Sequence, residues 1–196
     1  MSNSKPGNIV KQIICYIGGL LIITIGINIS KMSNLGISPV SSIPRATEQI
    51  WGFTLGVTTF IIYIFLVVAQ LVILRKDFKL RNALGILLTF VFSWMIDLTG
   101  TDPKAIGHLM LNFPRPSNYI MQFIYMVVSV IIIGIGVFLY LRPKWVPMPA
   151  EGLAGAIAQA TGKTFGDCKT IVDTSMIAIA LILQLIFLGG LQSFVG

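Results

Sequence analysis

Four long stretches without a single charged residue constrain this chain more than any other feature. They cover positions 12–30, 49–74, 116–141 and 174–196. A membrane-spanning helix needs about 20 consecutive apolar residues, and each stretch is long enough to cross a bilayer. The strands of a membrane β-barrel alternate in polarity over about 10 residues, and these continuous runs do not fit that pattern.

The composition excludes two further classes of protein. Hydrophobic residues make up 55% of the chain and charged residues only 11%, whereas soluble domains typically carry about 25% charged residues. A water-soluble globular fold is therefore excluded. The net charge of +7 is interpreted as a membrane-topology signal and not as a phosphate-binding surface, so nucleic acid is not expected as a partner.

A fifth uncharged stretch, 82–96, is shorter than the other four, but a helix that continues to 99 places Asp97 near its end. The sequence thus predicts an all-α membrane protein with a single membrane domain, 1–196, and five transmembrane helices. We expect these helices at 10–31, 55–75, 82–99, 118–141 and 168–189.

Lysine and arginine concentrate on one side of such a membrane domain. With the N-terminus in the cytoplasm, nine basic residues fall on the cytoplasmic side and four on the other side. The nine are Lys5, Lys11, Arg75, Lys76, Lys79, Arg81, Arg142, Lys144 and Lys163, and the four are Lys31, Arg45, Lys104 and Arg115. This asymmetry predicts a multi-pass protein whose N-terminus is cytoplasmic.

Little in the chain points to catalysis or metal binding. The two cysteines, Cys15 and Cys168, are too few for a disulfide framework. The single histidine, His108, has no Cys or His neighbour with which to hold zinc. Because no nucleophile–base pair, acid pair or cofactor motif is found, we expect neither an enzyme nor a bound cofactor.

The chain matches itself at one constant offset, the distance from Pro39 to Pro149, without a gap. The matches combine prolines, glycines and polar residues with apolar ones, and the polar and glycine matches are the informative part. Pro39, Ala46, Gln49, Gly52, Thr54 and Gly56 align with Pro149, Ala156, Gln159, Gly162, Thr164 and Gly166, and upstream Ile22, Ile23, Ile25 and Gly26 align with Ile132, Ile133, Ile135 and Gly136. The sequence therefore predicts two repeats, at about 12–99 and 122–196.

Each repeat contains a helix, a short helix that begins with proline, a Gly-x-Thr-x-Gly turn and another helix. The short helices, at 39–50 and 149–160, are about 18 Å long and too short to span the membrane. If neither crosses, three helices separate the two repeat starts, and the second repeat begins on the opposite face. This predicts an inverted-topology repeat, as in many secondary transporters. The second copy lacks a counterpart of its third helix, expected at about 192–209.

Two stretches carry a family resemblance. The segment 34–44, NLGISPVSSIP, followed by the Gly-x-Thr-x-Gly turn at 52–56, resembles the first half of the YczE/YitT-like bacterial membrane proteins. The segments 149–152, PAEG, and 161–166, TGKTFG, are similar to the second half. The resemblance covers about 15–190. It implies an integral protein of the bacterial cytoplasmic membrane, and it implies a further C-terminal helix that this chain does not show.

The start of the first short helix is a candidate solute-binding site. Ser38 is a suitable N-cap, Pro39 a suitable first helical residue, and Ser41 and Ser42 add hydroxyl groups. These residues either begin an interfacial helix or place unpaired N–H groups near mid-membrane, where they would attract an anion. In the same helix, Arg45 and Glu48 lie three apart on one face, either as a solvated pair or as a mutually neutralising pair inside the membrane.

Four more charged residues complete the candidate set. Glu151 follows the proline that begins the second short helix, and we predict that the two short-helix starts approach each other across a polar cavity. Lys169 and Asp173 form an i,i+4 pair near the start of the last helix, where ionisable groups usually face a cavity or a partner. Asp97 ends the third helix, a position that is more often structural.

These features favour a small secondary-transporter-like protein that moves a small polar solute or ion. Two alternatives stay open: a non-transporting membrane scaffold or accessory protein, and the substrate-capture subunit of an energy-coupled uptake complex. The expected partners are the lipid bilayer and an unidentified solute or ion, and a homo-oligomer is left open.

Overall fold

The computed structural model describes residues 6–77, 80–105, 107, 109–110, 112–143 and 145–189. Within these ranges the chain forms seven α-helices and one short 3₁₀ turn, Arg75–Asp77, and no strand. The helices are α1 (Pro6–Ser33), α2 (Pro39–Trp51), α3 (Leu55–Leu74), α4 (Leu80–Leu98), α5 (Tyr119–Leu141), α6 (Pro149–Thr161) and α7 (Phe165–Leu188).

The all-helical prediction is confirmed. Four helices are long and apolar enough to cross a membrane: α1, α3, α5 and α7. The chain is therefore a helical membrane protein. In α4, the predicted fifth transmembrane helix, the apolar part Leu84–Leu98 is shorter than those of the other four. Lys5, Lys79, His108, Lys144 and the segment 190–196 lie outside the described residues, as does the region expected for a last helix.

The two short helices begin and end with the same local signals. Proline occupies the first turn of both α2 and α6, and a left-handed glycine ends each of them, with φ of 69° at Gly52 and 71° at Gly162. Glycine suits this conformation because a Cβ atom would be strained there. Two residues later Thr54 and Thr164 cap α3 and α7, each accepting a hydrogen bond from a backbone N–H three residues on.

α1 and α5 pack against each other in opposite directions. Tyr16 lies near the start of α1 and contacts Tyr140 at the end of α5, with ring centroids 5.7 Å apart. Gly26, closer to the end of α1, faces Ile133, which precedes Tyr140 in α5. Later residues of α1 therefore contact earlier residues of α5, so the two helices are antiparallel.

The contacts between α1 and α5 are also reciprocal. A Cβ atom at Gly26 would lie 2.6 Å from Ile133 Cγ1, and one at Gly136 would lie 2.7 Å from Ile23 Cγ1. Gly26 and Gly136 occupy the same position in the two predicted repeats, and so do Ile23 and Ile133. The counterparts of this contacting pair thus also contact each other, with the two helices exchanged, as across a two-fold axis.

The other helices pack in corresponding pairs. α2 lies against α7 and α3, and α6 lies against α3 and α7. One buried apolar cluster joins both short helices to α7 through Ile43, Ala46, Ala150 and Ala154. On α7 the buried side chains recur every four residues, at Cys168, Val172, Met176, Ala180 and Gln184. This spacing places them on one face of the helix.

α4 packs across α1 and α3. Asn28 Nδ2 of α1 donates hydrogen bonds to the backbone oxygen of Ile96 (3.1 Å) and to Thr99 Oγ1 (3.0 Å), near the end of α4. We call this the Ser33 end, where α1 and α4 end and α3 begins. We call the opposite end, where α3 ends and α4 begins, the Leu74 end.

Candidate functional site

A buried ionic network lies at the Ser33 end. The carboxylate of Glu48 on α2 pairs with Arg45 on the same helix, at 2.7 Å, and with Lys31 in the last turn of α1. Glu48 is buried and the two cations are largely buried. The spacing of three residues predicted the Arg45 contact, but Lys31 comes from another helix. One carboxylate therefore holds two cations and ties α2 to α1.

The serines of α2 bond within their own turn. Ser38 occupies the N-cap position, but its side chain caps no backbone N–H. Its hydroxyl instead donates to Ser41 Oγ at 3.2 Å, and the hydroxyl of Ser42 donates to the backbone oxygen of Pro39 at 2.6 Å. Ser41 and Ser42 are both buried. The start of α2 thus presents buried hydroxyls that bond locally.

Asp97 joins the end of α4 to the start of α3. Its Oδ2 accepts a hydrogen bond from Thr54 Oγ1 at 2.7 Å, and its Oδ1 accepts one from the backbone N–H of Gly56 at 2.8 Å. Both oxygens therefore cap the N-terminus of α3, where a negative charge is also favoured by the helix dipole.

Glu151 is the acid that the local structure leaves unsatisfied. It lies in the first turn of α6, and its Oε2 atom is buried without a hydrogen-bond partner among the described residues. Burying a carboxylate oxygen without a hydrogen-bond partner destabilises the folded state, by an amount on the order of several kcal/mol. This atom is therefore the strongest indication of a ligand-binding or proton-binding position within the described part of the chain.

Charged and phenolic groups from three other helices interact electrostatically with Glu151. Lys169 Nζ and Asp173 Oδ1 of α7 form an ion pair at 2.5 Å, with about a quarter of each side chain exposed. Both lie within electrostatic range of Glu151, as do Tyr63 of α3 and Tyr140 of α5. We call these five residues the Glu151 cluster. Four helices contribute to it, so it is a product of the tertiary fold.

Two side chains fix the start of α6 beside this cluster. Gln70 Nε2 of α3 donates to the backbone oxygen of Pro149 at 2.9 Å, and the Tyr140 hydroxyl accepts from the backbone N–H of Met148, also at 2.9 Å. Gly152 permits the close approach of Gln70, because a Cβ atom there would lie 2.7 Å from Gln70 Oε1. The backbone that carries Glu151 is thus held from two sides.

The nine site residues predicted from the sequence do not form a single site in the structure. Arg45 and Glu48 join Lys31, and Glu151 lies near Lys169 and Asp173. The meeting of the two short-helix starts across a polar cavity stays a prediction.

The site residues predicted from the sequence do not include Lys31, Tyr63, Gln70 or Tyr140. Tyr63 was recognisable as the polar residue at the predicted repeat position of Asp173. Lys31, Gln70 and Tyr140 reach their partners through contacts between helices. No local sequence pattern indicates those contacts.

Comparison with known proteins gives a family. The chain is 26% identical over 166 residues to the uncharacterized protein YyaS of Bacillus subtilis (strain 168), covering 85% of this chain and 78% of that protein. No solved structure matches the chain. The sequence pattern of a family of unknown function, DUF6198, matches residues 10–196, and the chain therefore belongs to the DUF6198 family.

Proposed function

We propose that this chain is a small, non-enzymatic membrane protein of the secondary-transporter type, which moves a small polar solute or ion. The observation that carries the proposal is the buried, unpartnered oxygen of Glu151 beside the Lys169–Asp173 pair. Ionisable groups inside a membrane domain are costly and usually mark a solute, ion or proton pathway.

The chemistry of the Glu151 cluster suits a small cation or a zwitterion. A cation or an ammonium group at Oε2 would supply the missing partner of Glu151. The Lys169–Asp173 pair offers one charge of each sign next to it. Because that pair is partly exposed, Lys169 and Asp173 can each pair with an opposite charge of a solute instead of with each other. Neither charge is then left unpaired. A proton on Glu151 would remove the buried negative charge when no solute is bound.

The architecture proposed for this function is an inverted-topology repeat. The reciprocal, oppositely directed contacts of α1 and α5 support it, because such contacts imply a two-fold axis across the helices. If α1 and α5 span the bilayer, that axis lies in the membrane plane. The repeated caps at Gly52 and Gly162, and at Thr54 and Thr164, support two copies of one unit.

We further propose five membrane crossings and a cytoplasmic N-terminus in the bacterial cytoplasmic membrane, in line with the resemblance to YczE/YitT-like proteins. α4 has 19 residues and α3 has 20, so the two helices have nearly equal lengths of about 30 Å. Lys76 and Lys104 test the orientation, after Cys15 and Cys168 are replaced by serine. A membrane-impermeant thiol reagent should label K104C and not K76C in intact cells, and the reverse result would overturn the orientation.

Transport is tested with the full chain in proteoliposomes on a solid-supported membrane. Concentration jumps of small amino acids, small carboxylates and monovalent cations are applied, and the charge movement is recorded. At least one probe should give a current in the native protein. Glu151→Gln should lower that current at least tenfold, since it keeps the shape and removes the charge.

Asp167→Asn serves as the matched control. Asp167 is an exposed acid in the first turn of α7, and its Oδ2 accepts a hydrogen bond from Thr164 Oγ1. The control should keep its current because Asp167 is exposed and bonds within its own turn. No current with any probe, or equal losses in both variants, would contradict the proposal.

A partner-binding role is the second candidate, either as an accessory protein or as a substrate-capture subunit. The observation that favours it is the large exposed surface of α5. Of the residues in this helix, only Ser129, Gly136 and Tyr140 are buried. A partner subunit could cover this face. A second polypeptide that co-purifies in fixed stoichiometry from the native bacterium would support this role, and a protein purified without one that transports would exclude it.

A further inference from the structure

A small cavity opens at the Ser33 end, between the end of α1, the middle of α2 and the segment that joins α4 to α5. Its volume is about 150 Å³, below the ~300–1,000 Å³ of typical drug-sized ligand pockets. Five of its seven lining residues are polar or basic, and the lining consists of Lys31, Met32, Asn34, Arg45, Thr101, Arg115 and Pro116. The cavity therefore suits one small polar group.

The charged residues that line this cavity are all cations, namely Lys31, Arg45 and Arg115. The carboxylate of Glu48 pairs with the first two. Arg115 has no ion pair among the described residues and is exposed. The group of four thus carries two more positive than negative charges, in a place where two of the cations are largely shielded from water.

The donors outnumber the acceptors in the same way. A guanidinium group has five N–H donors, and Arg45 uses one of its nitrogens on Glu48. The guanidinium of Arg115 adds further donors, and Asn34 and Thr101 add polar side chains to the wall. Arginine pairs well with oxyanions because two parallel N–H groups match two oxygens.

We propose that this cavity binds a small oxyanion of the phosphate class. Binding at this cavity requires neither transport nor the Glu151 cluster. An experiment can therefore support or overturn this site independently of the proposed function. The shared chemistry is a phosphate group, which comes either from a free ion or from the headgroup of an anionic lipid. The cavity lies at one end of the apolar helices, where both sources are available.

The test uses the purified full chain in a neutral detergent. Inorganic phosphate is titrated against potassium chloride at equal ionic strength, and binding is followed by calorimetry and by thermal unfolding. In a second arm, the protein is extracted from vesicles of phosphatidylcholine with phosphatidylglycerol, and the retained lipid is measured by native mass spectrometry.

Arg115→Gln is the main variant because Arg115 is exposed and its loss should not disturb folding. Arg142→Gln is the matched control, since Arg142 lines a separate cavity beside Lys11 and Cys15. We expect Arg115→Gln to weaken phosphate binding, or to lower phosphatidylglycerol retention, about tenfold. Arg142→Gln should leave both unchanged.

Glu48→Gln supplies a change of opposite sign. It removes the negative charge that is bonded to Lys31 and Arg45, so phosphate should bind about tenfold more tightly, an effect that misfolding could not produce. Phosphate binding alone identifies a free ion as the ligand, and lipid retention alone identifies a headgroup; either supports the site. Equal behaviour of Arg115→Gln and the native protein in both arms, or an equal loss in Arg142→Gln, would overturn it.

Discussion

In the first half of the chain α4 packs across α1 and α3, whereas among the described residues of the second half no element packs in the same way across α5 and α7. The two halves share their helix starts, helix ends and repeat positions. Their difference therefore isolates what one additional packed helix does to the residues beneath it.

The effect is visible on α1 and α5. Leu20 and Asn28 of α1 are each 1% exposed. The residues at the corresponding positions of the predicted second repeat, Val130 and Phe138, are 63% and 68% exposed. Between them, Thr24 is buried, whereas Gly134 has no atom within 4 Å of an added Cβ. The same repeat positions thus form an interior seam in one half and an open face in the other.

The starts of α3 and α7 differ for the same reason. A Cβ at Gly56 would lie 2.5 Å from Asp97 Oδ1 of α4, whereas a Cβ at Gly166 would meet only Thr164 Oγ1, at 4.0 Å. Thr164 compensates within its own turn by bonding with Asp167. Both halves therefore cap the helix locally through a threonine, and the first half adds a cap from a neighbouring helix.

Apolarity does not decide which faces pack in this protein. Lipid is as apolar as a leucine side chain, so an open apolar face costs little in a bilayer. Close packing, small residues and hydrogen bonds between helices decide instead. The first half has all three, at Gly56, Asn28 and Asp97.

The largest expected effect is at the contact between α1 and α5, to which both halves contribute. Gly136→Leu should destabilise the fold by about 3 kcal/mol, because its Cβ would lie 2.9 Å from the backbone atoms Gly19 O and Ile23 N. Gly134→Leu, on the open face of the same helix, should change stability by less than about 0.5 kcal/mol. Equilibrium unfolding in mixed micelles measures both, and similar values would show that the α1–α5 seam is misplaced.

A smaller effect separates the two glycines at the helix starts. Gly56→Ala should destabilise by about 2 kcal/mol, because the added methyl displaces Asp97 from Thr54 and from the backbone N–H of residue 56. Gly166→Ala at the corresponding position should be neutral or slightly stabilising, since alanine favours the helix. The same unfolding assay applies. Equal losses at both sites would mean that a helix also covers the start of α7.

The smallest effect concerns the open face itself. Phe138→Ala should alter stability by less than about 0.5 kcal/mol in detergent, because the side chain is exposed. Stability of the variant and the native protein is then measured in native membranes, where thermal aggregation is followed by immunoblot. A clear loss of stability there, absent in detergent, would show that a partner covers α5 in the cell, and equal behaviour would show that lipid does.

Much of the fold followed from the sequence because the signals are local. The helix bounds agree with the predicted helices to within a few residues. The predicted Gly-x-Thr-x-Gly turns lie between the helices as expected, with glycine helix ends at Gly52 and Gly162 and threonine caps at Thr54 and Thr164. Each of these depends on residues within one or two helical turns, where backbone geometry leaves few alternatives.

The candidate site was predictable only in part. The pairs Arg45–Glu48 and Lys169–Asp173 follow from spacings of three and four on a helix. The sequence also pointed to Glu151, but not to its lack of a hydrogen-bond partner. That property depends on where α3, α5 and α7 place their own side chains.

The sequence by itself determined that this is a helical membrane protein, where its helices begin and end, and which positions recur in the second half of the chain. Only the tertiary structure decided that Lys31 pairs with Glu48, 17 residues away, that Asp97 caps a helix start 41 residues before it, and that Gln70 holds Pro149 across 79 residues. The physical reason is range. Helix propensity, caps and i,i+4 pairs act within a few residues, whereas contacts between helices depend on the complementary shapes of faces that the sequence presents far apart.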